Sequence, residues 1–433
     1  MPETDIPFDD LMAPFGLSPD VPLAVAVSGG PDSMALLLLA ADEARRSGRS
    51  LHALTVDHGL RAEAGTEALQ VGGWARALGV AHTVLTHSGD TPRASVQAAA
   101  RSIRYRLMAE WCATHNMAAL LVAHTREDQA ETFLLRLARG SGVDGLSAMA
   151  ADTRRNDMRI LRPLLDVPRD ALHAVLATAG QAYITDPSNA DARHARVRMR
   201  ALAPVLEAEG LTAQRLADTA ARMMTAREAL DGWTSAHLAR AVTFHKCGYG
   251  TADLAALLDA PDEIRLRAAS KLIMAITGNA YPPRLHHTRA LVVRLGDASF
   301  NGATLGGARL VRRGDTLMVF REARAIAPAV RRARHLPLLW DGRFEVGTHD
   351  MAPNKAPVAD VTIAPLGQKG WRWMRDVAPD TALPAAAAAC LPAVFDGGTL
   401  LEVPSLGLTA GGDVASLTAR FVGPQRVGLA AAV

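Results

Sequence analysis

A chain of 433 residues is long enough for two or three domains, and 49% hydrophobic with 21% charged residues is an ordinary globular balance rather than that of a disordered or fibrous chain. A net charge of +3 is too mild to argue for nucleic-acid binding by itself. Three cysteines (Cys112, Cys247, Cys390) stand far apart without a C-x-x-C, which argues against a structural zinc or cluster site.

The first ten residues hold Glu3, Asp5, Asp9 and Asp10 and no basic residue, so no secretory signal is expected. The longest weakly polar stretch, Leu383–Phe395, is too short to span a bilayer and contains two prolines. A cytoplasmic protein with no membrane partner is the expectation. Leu23–Val27 then reads as a short buried strand, Ser28–Ser33 as a glycine turn and Ser33–Arg46 as a helix. Strand and helix alternate through the next hundred residues. The strands are Leu51–Val56, Ala81–Thr86 and Ala119–Ala123, and the helices lie near Glu63–Leu78, Ser95–His115 and Asp128–Arg139. A strand at Arg159–Arg162 and a helix after Pro168 extend the series. Apolar runs without clean alternation, separated by helices, imply βαβ units and an α/β domain with a doubly wound parallel sheet.

From about Arg193 the pattern turns helical. Leu211–Ala241 reads as one long helix, and Ala252–Ala260, Glu263–Ile276 and Arg289–Leu295 as further helices. Tyr281-Pro282-Pro283 is a hard stop. Strands at Ala303–Leu305, Ala308–Arg312 and Thr316–Arg321 follow, joined by Gly306-Gly307 and by Arg313-Gly314-Asp315. A linker near Ala325–Pro328 leads to a Gly- and Pro-rich remainder, read as a small mixed or β domain. The expected division is therefore 1–205, 206–325 and 326–433.

The turn Ser28-Gly29-Gly30-Pro31-Asp32-Ser33 carries the first chemistry. Between a strand and a helix it points several backbone N–H groups and a helix N-terminus at one spot, a ready anion site. The glycines let the backbone approach a phosphate, Ser28 and Ser33 add hydroxyls, and Asp32 can hold a Mg²⁺ that bridges phosphate oxygens. The lysine of a Walker A loop is missing. In an open α/β sheet ligands sit at the carboxyl ends of strands, so Asp57 and His58 after the second strand face the same crevice. So does the cluster His124-Thr125-Arg126-Glu127-Asp128-Gln129-Ala130-Glu131 after the fourth. Any one of these residues can be a helix cap or a solvated charge, as Asp128 can; three strand ends converging on one turn are harder to explain so. Arg101, Arg104 and Tyr105 share a helix face, Arg136 and Arg139 precede a glycine exit, and Arg196, Arg198 and Arg200 fall in a basic segment. Arginine's planar fork suits phosphate, although charge runs are often only solvated faces.

The turn resembles the S-G-G-x-D-S signature of the PP-loop ATP pyrophosphatases. Together with V-D-H-G-L-R from Val56, A-A-R-x-x-R-Y from Ala99, A-H-x-x-x-D-Q-A-E-T-x-L-L-R-L-x-R-G-x-G from Ala123, R-P-L-L from Arg162 and D-P-S-N from Asp186, it resembles the tRNA(Ile)-lysidine synthase family across roughly residues 20–205. The resemblance implies a PP-loop (HUP-like) fold and use of ATP and Mg²⁺. It implies adenylylation of the wobble cytidine of the CAU-anticodon isoleucine tRNA, then displacement of AMP by free L-lysine. On it, Ser28–Ser33 hold the nucleotide, Asp32 a metal, and Asp57, Asp128 or Glu131 metal or the lysine ammonium. His58 or His124 would assist proton transfer. Arg101, Arg104, Arg136, Arg139, Arg196, Arg198 and Arg200 would grip tRNA phosphate or the adenylate. A homodimer stays open. Three positions depart from the family pattern: Thr125 replaces a histidine and cannot act as a base, Glu127 replaces an aspartate and lengthens its reach, and Val197 follows Arg196 where asparagine is usual. A 2-thiolation enzyme, which normally uses paired cysteines, a PP-loop amide synthase that acts on a small acid with ammonia, and a non-catalytic tRNA-binding or nucleotide-sensing protein are the rival readings.

Overall fold

The computed structural model describes residues 6–57, 64–87, 96–155, 158–185, 195–333, 338–348, 360–379, 381, 383–410 and 417–432. They form two compact units, Met1–Arg227 and Glu228–Val433. Among the described residues no helix is long and apolar enough to cross a membrane.

The first unit is built on a six-stranded sheet. Its elements in chain order are α1 (Phe8–Met12), β1 (Leu23–Ala26), α2 (Pro31–Ser47), β2 (Leu51–Asp57), α3 (Ala64–Ala77), β3 (Ala81–Thr86), α4 (Val96–Thr114), β4 (Ala119–Leu121), α5 (Arg126–Leu137), α6 (Val143–Leu146), β5 (Asp152–Arg155), β6 (Met158–Leu161), α7 (Arg169–Thr178) and α8 (Ala195–Ala208). The strand order is β3-β2-β1-β4-β6-β5, parallel except for β5. In β1 every second side chain serves a different layer. Leu23 and Val25 pack with Met34, Leu36 and Leu37 of α2, whereas Ala24 packs with Tyr105, Met108 and Cys112 of α4. A strand covered on both faces has no reason to alternate, so its sequence is continuously apolar. Each fully buried leucine here contributes about 1.5–3 kcal/mol.

The order reverses between β1 and β4: β2 and β4 pair with Leu23–Val25 of β1 on its two sides. That reversal opens a crevice outside the carboxyl ends of the two strands. One difference from expectation lies at the far edge. β5 runs antiparallel on β6, and its Asp-Thr-Arg-Arg sequence carries no apolar signal because an edge strand needs none. Arg159 of β6 pairs with Asp152 of β5 at 2.7 Å.

Helix α9 spans Ala213–Ala241, close to the expected 211–241. In the second unit β7 (Val242–His245), β8 (Tyr249–Asp253), α10 (Leu254–Leu258), α11 (Asp262–Thr277), α12 (Leu285–Leu295), β9 (Gly302–Leu305), β10 (Ala308–Arg313) and β11 (Thr316–Arg321) follow. The sheet order is β7-β8-β11-β10-β9, all antiparallel. The expected helix at Ala252–Ala260 is therefore corrected: β8 runs through Asp253, and only a short helix follows. Asp253 marks the switch, because its carboxylate caps that helix by accepting the Ala256 N–H at 2.8 Å.

The remainder adds β12 (Val330–Ala333), β13 (Leu338–Trp340), β14 (Phe344–Thr348), β15 (Asp360–Pro365), α13 (Gly367–Val377), β16 (Pro392–Asp396), β17 (Thr399–Val403), β18 (Leu408–Thr409) and β19 (Leu417–Phe421). These form two sheets, β12-β15-β16-β17-β18 and β13-β14-β19. One apolar core runs from Leu238 to Phe421 through the whole unit. Set in it is a buried charge cluster. Asp341 accepts from Arg321 Nε at 3.0 Å and from Arg343 Nε at 2.7 Å. Arg343 is fully buried and also donates to the carbonyls of Gly248 (3.1 Å) and Cys390 (2.9 Å).

Candidate active site at the β1–β4 switch point

Strand β1 delivers the glycine turn, and α2 begins at Pro31 with no side chain capping its first N–H groups. Proline at N1 suits the helix start and leaves the remaining orphan donors aimed at the crevice. The turn is held from within. Ser33 Oγ donates to the Gly30 carbonyl at 2.9 Å and accepts the Ser28 N–H at 3.2 Å, while the two serine hydroxyls lie 3.2 Å apart. Gly29 sits at φ +85°, and its carbonyl accepts the Ile184 N–H at 2.8 Å. A Cβ added there would lie 2.7 Å from Ile184 Cδ1 and 3.0 Å from Val71 Cγ2, so only glycine fits.

Strand β4 delivers the second half. Thr125 is the N-cap of α5 and Asp128 its N3 residue. Asp128 Oδ2 accepts the Thr125 N–H at 2.9 Å and the Thr125 hydroxyl at 3.2 Å. This is a capping box with aspartate in the usual glutamate position. Thr125 is wholly buried. Asp128 is therefore a helix cap through Oδ2, while its Oδ1 lies 3.6 Å from Arg169 Nη2.

A third element, not anticipated from the sequence, joins the two. Arg169 opens α7, and its Nε donates to Asp32 Oδ2 at 3.2 Å. Its Nη2 lies 3.6 Å from Asp128 Oδ1 and donates to Thr125 Oγ1 at 3.3 Å. Its backbone N–H donates to Glu127 Oε2 at 3.0 Å, so the longer acid at position 127 reaches across to cap α7. The only local sign of Arg169 in the sequence is its place directly after Pro168, at a helix start that follows a strand of the same sheet.

One turn beyond Asp128, Glu131 is buried, and Arg200 of α8 donates to its Oε1 at 2.9 Å. The two acids share a pattern. Asp32 Oδ1 and Glu131 Oε2 are both buried with no hydrogen-bond partner, while each acid's other oxygen is tied to an arginine. Burial pushes the Asp32 carboxyl above its ordinary range, against the pull of Arg169, and burial likewise raises Glu131 against Arg200. His124 is driven down to about 4, chiefly by burial, so the imidazole is neutral at pH 7; its Nδ1 also lacks a partner.

Oxygen donors left bare in a buried crevice suit a hard cation such as Mg²⁺. Among the described residues no group of three or more His, Cys, Asp or Glu side chains is gathered to hold a metal.

The other sequence-derived residues fall as follows. Asp57 ends β2, the neighbour of β1, and is half-buried. His58 lies outside the described residues, as does the Asp186–Asn189 turn. Arg101 and Arg155 stack on the buried Tyr105 ring, at 5.1 and 4.6 Å from its centroid. Arg104 is on the same helix and exposed. Arg136 spends its fork on the Gly145 and Ala148 carbonyls at 2.8 and 2.7 Å, binding α5 to the turn after it. Arg139 is exposed beyond the end of α5. On α8, Arg196 is half-buried, and Arg198 and Arg200 are exposed. The three cysteines are free, and burial pushes the Cys112 thiol up to about 12, so it is inert at neutral pH.

A PP-loop domain model matches residues 4–206. A tRNA(Ile)-lysidine synthase of Ruegeria pomeroyi is 37% identical over 408 residues, covering 93% of this chain and 92% of that protein. One from Rhodopseudomonas palustris is 41% identical over 323 residues, covering 69% of this chain and 89% of that protein. One from Wolbachia pipientis wMel is 38% identical over 326 residues, covering 74% of this chain and 76% of that protein.

Proposed function

Since the chain belongs to the tRNA(Ile)-lysidine synthase family, enzymes of tRNA modification with a PP-loop domain that implies ATP use, we propose that it joins lysine to the wobble cytidine of the CAU-anticodon isoleucine tRNA. In the first step O2 of the cytidine attacks the α-phosphorus of ATP, and the bond to the β-phosphate oxygen breaks, releasing pyrophosphate. In the second the ε-amine of L-lysine attacks C2, and AMP leaves with the O2 oxygen. The product, lysidine, pairs with A rather than G, so the codon read changes from AUG to AUA.

The observation that carries this is the convergence on one crevice of an uncapped helix N-terminus and two acids, each with one buried oxygen left without a partner. Ser28–Ser33 and the first N–H groups of α2 bind the triphosphate, whose charge shifts to the leaving pyrophosphate in the first step. Asp32, with Glu131 or Asp128, would hold Mg²⁺, which neutralises phosphate charge when bound. An acid of α5 not engaged by metal orients the lysine ammonium, which must lose a proton to attack. Neutral His124, or His58, serves as acceptor for that proton. Arg101, Arg104, Arg139, Arg196 and Arg198 supply cationic contacts for tRNA, with the single-stranded anticodon loop splayed into the crevice. Arg136 and Arg200 hold the elements that carry those contacts. Segments 206–325 and 326–433 extend the tRNA contact beyond the PP-loop domain.

The test is mass spectrometry of the wobble cytidine after the full chain has been incubated with this tRNA, ATP, Mg²⁺ and labelled lysine. The expected product is cytidine plus one lysine less one water, with one AMP and one pyrophosphate per turnover. Unmodified cytidine alongside a folded protein would overturn the proposal. Sulfur in place of the lysine would assign thiolation instead.

A further inference from the structure

Arg169 touches both halves of the crevice. It contacts Asp32 from the glycine turn, and Thr125 and Asp128 from the start of α5. Its own backbone is fixed by Glu127, so the side chain is anchored at its root as well as its tip. Its side chain is about one-fifth exposed, and Asp32's about one-quarter, so the pair is largely shielded from water.

The consequence lies in what Arg169 leaves free. A carboxylate turns about its last bond, and an untethered Asp32 would present either oxygen, or neither, to a cation. Arg169 takes Oδ2 and leaves Oδ1 bare and buried. On the other side it lies near Asp128 Oδ1 while the α5 cap takes Oδ2. The guanidinium thus fixes the spacing and orientation of two acids that arrive on different strands. We propose that Arg169 is a positioning residue: through Asp32, it presets the acidic face of the site for the metal–nucleotide complex, supported by Thr125 and Glu127. Those are two of the three positions where this chain departs from its family pattern, and both touch Arg169: a small hydroxyl that accepts from its fork, and an acid long enough to reach its backbone. This rests on the ATP-binding reading of the crevice and adds a residue to it.

The experiment is a double-mutant cycle on binding rather than turnover. Affinity for a non-hydrolysable ATP analogue with Mn²⁺ is measured for the parent, Arg169→Gln, Asp32→Asn and the double variant, with thermal melting as a check on folding. Partners that orient a metal ligand usually contribute 10–100-fold, so Arg169→Gln is expected to weaken binding by about tenfold or more. In the Asp32→Asn background the same change is expected to do less than about twofold, because the residue it acts through is already gone. Arg169→Lys keeps the charge without the fork and is expected to recover only part of the affinity; it also serves for the cycle if Arg169→Gln does not fold. Equal losses in both backgrounds, or parent-like binding by Arg169→Gln, would overturn the proposal while leaving the ATP site intact. A parent that binds no nucleotide would remove the ATP reading, and this one with it.

Discussion

Replacing Gly29 with alanine is the sharpest test of how the nucleotide turn is built. Gly29 holds φ +85°, where an L-residue loses about 1–2 kcal/mol. The new methyl would also meet Ile184 Cδ1 at 2.7 Å and Val71 Cγ2 at 3.0 Å, and overpacking of this kind costs about 1–3 kcal/mol. The two effects act on one residue and together destabilise the first unit by about 2–5 kcal/mol. For a unit of this size that lowers the melting temperature by roughly 5–15 °C. Calorimetry on the full chain reads the loss, and nucleotide affinity should fall with it. The Gly29→Ala, Ile184→Ala double variant separates the causes: it regains the packing part and keeps the backbone part. A single variant melting within about 2 °C of the parent and binding nucleotide equally well would refute the account of a left-handed turn pressed against Ile184 and Val71.

Asp32→Ala should abolish turnover while the protein stays folded; activity within a few-fold of the parent would remove Asp32 from the site. Arg139→Ala with Arg198→Ala should weaken tRNA binding more than ATP binding, read by filter binding and calorimetry, and unchanged tRNA affinity would end that role. His124 titrates near 6.5 in the unfolded chain and at about 4 in the fold, so the unfolded state binds more protons between these values. Its contribution is therefore full above pH 6.5 and is lost as pH falls toward 4, on the order of 3 kcal/mol. Denaturant unfolding across pH 4–7 should show this slope, and His124→Gln should flatten it. In the second unit, Asp341→Ala would leave Arg343 buried without its counter-charge, a loss of about 3–5 kcal/mol that calorimetry would register. A melt unchanged from the parent would show that the cluster does not hold that unit together.

The alternating apolar runs and helical stretches of the first 180 residues were enough to place β1 to β4 and their helices, because a parallel sheet buried on both faces writes its central strands without polar breaks, as in Leu-Ala-Val-Ala of β1 and Ala-Leu-Leu of β4. The glycine turn and the acids at the strand ends were legible for a related reason: chemistry at a switch point requires certain residue types directly after certain strands. What the sequence left hidden depends on contacts between distant segments. β5 carries no apolar signal, since an edge strand is half in water. The helix expected from Ala252 begins only at Leu254, because Ala252 and Asp253 suit either state and pair with Leu317 and Thr316 of β11. Arg169 lies 137 residues from Asp32, and no local pattern links an arginine at one helix start to an aspartate at another. The residue types and their order along the chain were enough to indicate a phosphate-binding α/β enzyme. Which oxygen of each acid stays bare and which arginine lies against it were decided by packing, because orientation within a crevice is a property of the elements that surround it.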